Sequence, residues 1–286
     1  MAKSFRRLSL VLLAIPFVPP ARAQAPATPP SQTQPANPAV IPIPRSGLGW
    51  WMERHEQKLG RVQQDHCDLL FIGDSITHNY DKPGPPADES FEPTWEFFYG
   101  ARNAINLGFS GDETEHVLWR LQHGEVDGIQ PRVTVLLIGT NNTNNHRDWS
   151  WQQTLEGIEA DVAEIHARLP ETKVLVLGIL PTDLGPDKAA NDTAINARLA
   201  IDYRQSAFVT VLDIGQIYFK NGKLDTSLFY DPRLMPPRPA LHPDMHGQAM
   251  MAAAIETTLS ALLGDTNRLT FHPNPLDPAS STVPGP

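Results

Sequence analysis

The stretch Phe71-Ile-Gly-Asp-Ser-Ile-Thr-His-Asn-Tyr80 decides the reading of this chain, because an apolar run stops there abruptly at Gly73-Asp74-Ser75. Leu69 to Ile72 are continuously apolar, as expected of a strand buried on both faces. Gly73 lets the backbone turn sharply. Ser75 then stands at the carboxyl edge of a sheet, where open α/β folds place their chemistry, and is the candidate nucleophile. Gly, Asp and Ser also favour ordinary turns and helix caps, so the tripeptide alone does not separate the two readings.

Outward from that strand, strand-like and helix-like segments alternate, the pattern of a parallel sheet covered by helices. The spacing predicts strands at Ala104 to Leu107, Val133 to Ile138, Lys173 to Leu177 and Val209 to Leu212. It predicts helices at about Glu113 to Leu121, Trp151 to Leu169, Ala194 to Tyr203 and Gln248 to Leu263. Trp151, Leu155, Ile158, Val162, Ile165 and Leu169 recur at steps of four and three residues, which makes one apolar face destined for the core. Met251, Ile255, Leu259 and Leu262 do the same in the closing helix.

Three glycine-containing turns follow the first three strands and should meet at one sheet edge: Gly73-Asp74-Ser75, Gly108 to Asp112, and Gly139-Thr140-Asn141. Acyl transfer needs a nucleophile, donors aimed at the developing oxyanion, and a base. Ser75 supplies Oγ and its own N–H. Gly111 brings a bare backbone N–H close, and Asn141 offers a side-chain amide. The Gly108 to Asp112 spacing fits neither a dinucleotide fingerprint nor a Walker loop. The base is expected from Leu241-His242-Pro243-Asp244-Met245-His246-Gly247, with His242 preferred over His246, which falls at the first turn of the closing helix. These two histidines with Asp244 would make a weak metal motif. His78, near Ser75, is a candidate substrate contact.

The ends of the chain read differently. Lys3, Arg6 and Arg7 precede an apolar stretch from Leu8 to Val18 and a small-x-small site at Ala21-Arg22-Ala23, so residues 1–23 are expected to be a cleaved signal peptide. That implies a secreted or periplasmic protein without stable membrane insertion. Residues 24–46 carry seven prolines between Gln24 and Arg45 and are expected to be an extended linker. The folded domain is placed at 47–268 and a disordered tail at 269–286. Loss of the leader removes four basic residues and no acid, taking the formal charge from −9 to −13. Such a surface repels polyanions and excludes nucleic acid as a partner class. Cys67 is the only cysteine, so no intrachain disulfide can form.

Asp68-Leu-Leu-Phe-Ile-Gly-Asp-Ser-Ile-Thr77, Asn106-Leu-Gly-Phe-Ser-Gly-Asp112 with Val117-Leu-Trp-Arg-Leu121, Ile138-Gly-Thr-Asn-Asn142, Leu177-Gly-Ile-Leu-Pro181, and Leu241-His-Pro243 with Gly247 stand in a telling order. With these motifs the chain resembles the SGNH (GDSL-type) hydrolases, and within them the catalytic subunits of platelet-activating-factor acetylhydrolase and secreted bacterial relatives. The resemblance implies an α/β fold, a flavodoxin-like three-layer α/β/α sandwich with a five-stranded parallel sheet. It implies Ser75 as nucleophile, Gly111 and Asn141 as added oxyanion donors, and His242 as general base. Neither a metal nor an organic cofactor is implied, and a homodimer is an option.

One position departs from the pattern. The family usually has Asp three residues before the catalytic His, and Pro239 stands there. Three explanations compete. The segment from Asp231 to Ala240 carries Asp231 to the imidazole from a different place; a backbone carbonyl orients His242 in a Ser-His dyad; or activity has largely been lost. The expected function is a secreted esterase acting on short acyl esters, acetyl first, of a carbohydrate. A phospholipid or short lipid ester acetylhydrolase is the alternative, and a non-catalytic glycan-binding module on the same scaffold is a third reading.

Overall fold

The computed structural model describes residues 36–270, apart from 65, 85, 87, 88 and 147. The expected signal peptide, the linker before Ala36 and the tail from residue 271 lie outside the described residues.

Five strands form one parallel sheet: β1 (Leu69–Gly73), β2 (Ala104–Gly108), β3 (Val133–Leu137), β4 (Lys173–Leu177) and β5 (Val209–Leu212), in the order β2-β1-β3-β4-β5. Every pair is parallel, with Leu69 facing Ala104 on one side and Val133 on the other. Among the described residues eight α-helices accompany them: α1 (Gly49–Gln64), α2 (Ser75–His78), α3 (Glu92–Tyr99), α4 (Thr114–Gln122), α5 (Thr140–Asn145), α6 (Trp151–Arg168), α7 (Pro186–Asp202) and α8 (Met245–Leu263). A two-stranded antiparallel ribbon, β6 (Phe219–Lys220) and β7 (Lys223–Leu224), follows β5. The architecture is the flavodoxin-like α/β/α sandwich that the resemblance implies.

Alternation along β1 divides the core. Leu70 and Ile72 join Val117 and Leu121 of α4, Ile195 and Leu199 of α7, and the apolar face of α6. Leu69 and Phe71 pack instead with Phe98 and Tyr99 of α3 and with Met251, Ile255 and Leu259 of α8. Burying each Leu, Ile or Phe contributes about 1.5–3 kcal/mol, so the two faces together supply the main driving force for closing the sandwich. No helix among the described residues is long and apolar enough to cross a membrane.

Two segments differ from the sequence expectation. Helix α7 begins at Pro186 rather than near Ala194, because its first turns bury polar residues: Lys188 Nζ donates to Asp192 Oδ2 at 2.6 Å and to Thr143 Oγ1 at 3.0 Å. The folded unit also begins ten residues before Gly47. Asn37 Nδ2 donates to Gln153 O (3.0 Å) and Glu156 Oε2 (2.8 Å), the carbonyl of buried Ala39 accepts from Thr114 Oγ1 (2.9 Å), and Ile43 N–H donates to Glu115 O (3.2 Å). Residues 37–46 therefore form a strap across α6 and the start of α4. The proline-rich composition hides this because proline withholds N–H groups, while the strap docks through the Asn37 side chain, one carbonyl and one N–H.

Candidate active site

Ser75 opens α2 directly after β1, with Asp74 as the cap whose Oδ1 accepts from Ile76 N–H at 2.9 Å. This short helix is fixed from two sides. Gln248 of α8 donates to Ile76 O at 2.7 Å, and Asn106 of β2 donates to Thr77 O at 3.0 Å. Gly108 makes the close approach of β2 feasible, since a Cβ there would lie 2.2 Å from His78 N.

Ser75 Oγ lies 2.9 Å from His242 Nε2, and His242 Nδ1 lies 2.8 Å from Asp231 Oδ1. The carboxylate accepts a hydrogen bond from Nδ1–H, which fixes the tautomer that leaves the Nε2 lone pair facing the serine hydroxyl. Asp231 Oδ2 accepts two backbone N–H groups, from Leu241 (3.0 Å) and His242 (2.5 Å). Burial alone would raise the Asp231 pKa, but the bonds from the His242 side chain and backbone outweigh it and hold the carboxyl below its usual range. The register comes from a short antiparallel bridge between Phe229 and Pro243, with Tyr230 N–H donating to His242 O at 3.2 Å. The Tyr230 ring stacks on the imidazole at 5.3 Å. Of the three explanations for Pro239, the geometry is that of the first: Asp231 reaches the imidazole from eleven positions upstream. Pro239 itself is exposed.

The loop after β2 supplies the next group. Asp112 N–H donates to Phe109 O at 3.1 Å, closing a four-residue turn in which Gly111 has φ +78°. Asn141, on the first turn of α5, donates from its amide to Asp112 O at 2.8 Å, and the second N–H of that amide is a further donor. Beneath this loop lies a buried ion network. Arg120 Nε donates to Asp112 Oδ2 at 2.8 Å, its Nη1 pairs with Glu125, and Trp51 Nε1 donates to Asp112 Oδ1 at 2.7 Å. The guanidinium also lies 4.0 Å from the centre of the Phe109 ring. Burial pushes the Asp112 carboxyl up to about 6 despite these partners.

His78 is an anchor of that loop: its Nδ1 lies 2.9 Å from Ser110 Oγ and accepts from Ser110 N–H at 3.2 Å. Burial, aided by the nearby Arg54 charge, lowers its pKa to about 3, so the ring is neutral. Asp74 is wholly buried and its carboxyl is pushed up to about 7 by desolvation; its Oδ2 has no hydrogen-bond partner among the described residues. His246 is exposed on α8, and Asp244 caps that helix and pairs with Arg233, so they do not converge with His242 on a metal site. Among the described residues one group has metal-ligand spacing, Glu113, Glu115 and His146. Its atoms already satisfy one another: His146 Nε2 lies 2.6 Å from Glu113 Oε2, while Asn145 and Asn142 donate to the two carboxylates.

Ser75, His242 and Asp231 stand in one hydrogen-bonded line, and Gly111 and Asn141 follow the ends of the two strands that flank β1. The model of the GDSL-like lipase/acylhydrolase family matches residues 71–250. The chain belongs to this family. It is 31% identical over 236 residues to the rat platelet-activating factor acetylhydrolase IB subunit alpha2, covering 81% of this chain and 94% of that one. The human alpha2 subunit is 30% identical with the same coverage. A GDSL-like lipase from Bacteroides thetaiotaomicron shares the fold with TM-score 0.55 and 18% identity, over 73% of this chain and 97% of that one. So does a carbohydrate acetylesterase family member from Sinorhizobium meliloti, with TM-score 0.51 and 14% identity over 68% and 98%. This GDSL-family protein is a hydrolase acting on esters.

Proposed function

We propose that the protein is an exported serine esterase that removes acetyl or another short acyl group from a carbohydrate. The observation that carries the chemistry is the line Ser75 Oγ, His242 Nε2, His242 Nδ1, Asp231 Oδ1, with steps of 2.9 and 2.8 Å. His242 takes the hydroxyl proton as Ser75 attacks the ester carbonyl. The N–H groups of Ser75 and Gly111 and the Asn141 amide receive the negative charge on the carbonyl oxygen. The proton on His242 passes to the departing alcohol, leaving an acyl-serine. Water then gives a proton to His242 and attacks the acyl carbon, and His242 returns that proton to Ser75 Oγ as the acid departs. Asp231 holds the imidazole in the required tautomer throughout and needs no proton of its own.

Acetyl is the favoured acyl group because the relatives at about one-third identity are acetylhydrolases by name. The carbohydrate reading draws on two features. The N-terminal sequence has the form of an export leader ending at Ala23. Trp50 is 42% exposed and stacked at 6.2 Å on His78, which places a flat aromatic face beside the Ser110 loop, suited to a sugar ring. A phospholipid bearing a short acyl group is the second reading, favoured by the names of those same relatives.

The deciding experiment measures acid released from p-nitrophenyl acetate, acetylated oligosaccharides and an acetyl phospholipid, with Ser75→Ala as control. Preferential hydrolysis of the sugar esters supports the carbohydrate reading, and preference for the phospholipid replaces it. Failure of Ser75 to react with a fluorophosphonate would turn the protein into a binding module. Export is tested by N-terminal sequencing of the extracytoplasmic protein, expected to begin at Gln24.

A further inference from the structure

The turn from Phe109 to Asp112 contains one peptide plane whose orientation the turn itself does not determine. Its closing bond runs between the end residues, and Gly111 at the third position has φ +78°, the type II arrangement. Type I and type II turns differ by a flip of the central peptide, here Ser110–Gly111, whose C=O and N–H take no part in the closing bond. A trans peptide carries these two groups on opposite sides. Whatever holds the Ser110 carbonyl therefore decides where the Gly111 N–H points.

Arg45 holds it. Its Nη1 donates to Ser110 O at 2.7 Å, and the same nitrogen lies 3.6 Å from Asp112 Oδ1. Asp112 is immobilised in turn by Trp51 and Arg120, so the guanidinium meets a fixed acceptor pair. Arg45 is the last anchored side chain of the strap, held upstream at Ile43 and downstream by Leu48 N–H donating to Arg45 O at 2.9 Å. A charge-assisted bond to the carbonyl also polarises the amide, which makes the N–H on its far side a stronger donor.

We infer that Arg45 is a positioning residue for the oxyanion site, locking the Ser110–Gly111 peptide in the flip that presents the Gly111 N–H to the developing oxyanion. This rests on the proposal above that Gly111 is an oxyanion donor. It gives the strap a role in catalysis although it precedes the matched family region, 71–250.

The test uses the full chain with Arg45→Met, Arg45→Lys and, as a strap control that leaves Arg45 in place, Asn37→Ala. Kinetics with p-nitrophenyl acetate are combined with the affinity of an alkyl boronic acid, whose serine adduct places an oxygen in the oxyanion site. Arg45→Met is expected to lower kcat by roughly 10- to 100-fold, somewhat less than outright loss of a donor, and to weaken the boronic acid in parallel. KM and the pH profile should stay unchanged. Lysine can still reach the carbonyl, so Arg45→Lys should restore most of the rate, and Asn37→Ala should retain it.

An active wild type beside an equally active Arg45→Met overturns the inference and leaves the esterase reading intact. A kcat loss matched by an equal loss of folded protein, read from urea unfolding, also overturns it. A wild type that hydrolyses no ester and binds no boronic acid refutes the esterase reading itself.

Discussion

Asp231 lies 2.8 Å from His242 Nδ1, although a proline occupies the position from which this family usually supplies the acid. The bridge between Phe229 and Pro243 brings the two segments side by side, and the intervening residues loop outward. Asp231→Asn should lower kcat by about 10⁴, because the amide no longer stabilises the imidazolium or enforces its tautomer. Adding Pro239→Asp to that variant should not rescue it, since position 239 is exposed. Steady-state kinetics of the single and double variants check both statements.

Asn141 spends one amide N–H on Asp112 O, tying the third strand end to the loop that carries Gly111. Asn141→Ala should reduce kcat by roughly 10²–10³ with little change in KM. A loss confined to KM would assign the side chain to substrate binding.

Arg120 is fully buried between Asp112 and Glu125. Arg120→Met leaves two carboxylates in the core without their cation, a change that destabilises by about 3–5 kcal/mol when one partner of a buried pair is removed. Urea unfolding should reveal a loss of this size. Replacing Arg120 and both acids together with apolar residues should recover much of it.

Asp74 gives stability a defined pH dependence. Its native pKa is pushed up to about 7 by burial, against about 3.9 in an unfolded chain. Between these values the native state keeps a proton that the unfolded state has lost, so the contribution of Asp74 falls as pH rises through that window and is constant above it. Asp74→Asn keeps the cap to Ile76 and removes the titration. The drop in urea midpoint from about pH 5 to about pH 8 should therefore be smaller in the variant. Asp112, raised to about 6, acts in the same direction and leaves a residual slope.

The places of Ser75, Gly111, Asn141 and His242 in the fold are legible from sequence because each sits after a strand or before a helix whose hydrophobic pattern is strong. Asp231 is less so, since its approach depends on a single bridge within a proline-rich loop that has no periodicity to read. Arg45 and the strap are hidden for a related reason. Their docking uses isolated side chains and single backbone groups, and composition resembles a linker until the partners on α4 and α6 are in place. Lys188 and Asp192 obscured the start of α7 because polar residues mark a surface unless their partner is known. Helix α1, with Trp51, His55 and Val62 as its buried residues, has too sparse an apolar face to announce itself.

Ser75 and His242 meet across 167 positions of chain. Ser75 follows the first strand and His242 lies in the loop before α8, so no contiguous half of the domain holds both. Hydrolysis is consequently a readout of the whole topology. A nascent chain that still lacks α8 is chemically silent, and a single proteolytic nick in the loop from Asp231 to Ala240, followed by loss of the C-terminal piece, would switch the enzyme off at a stroke.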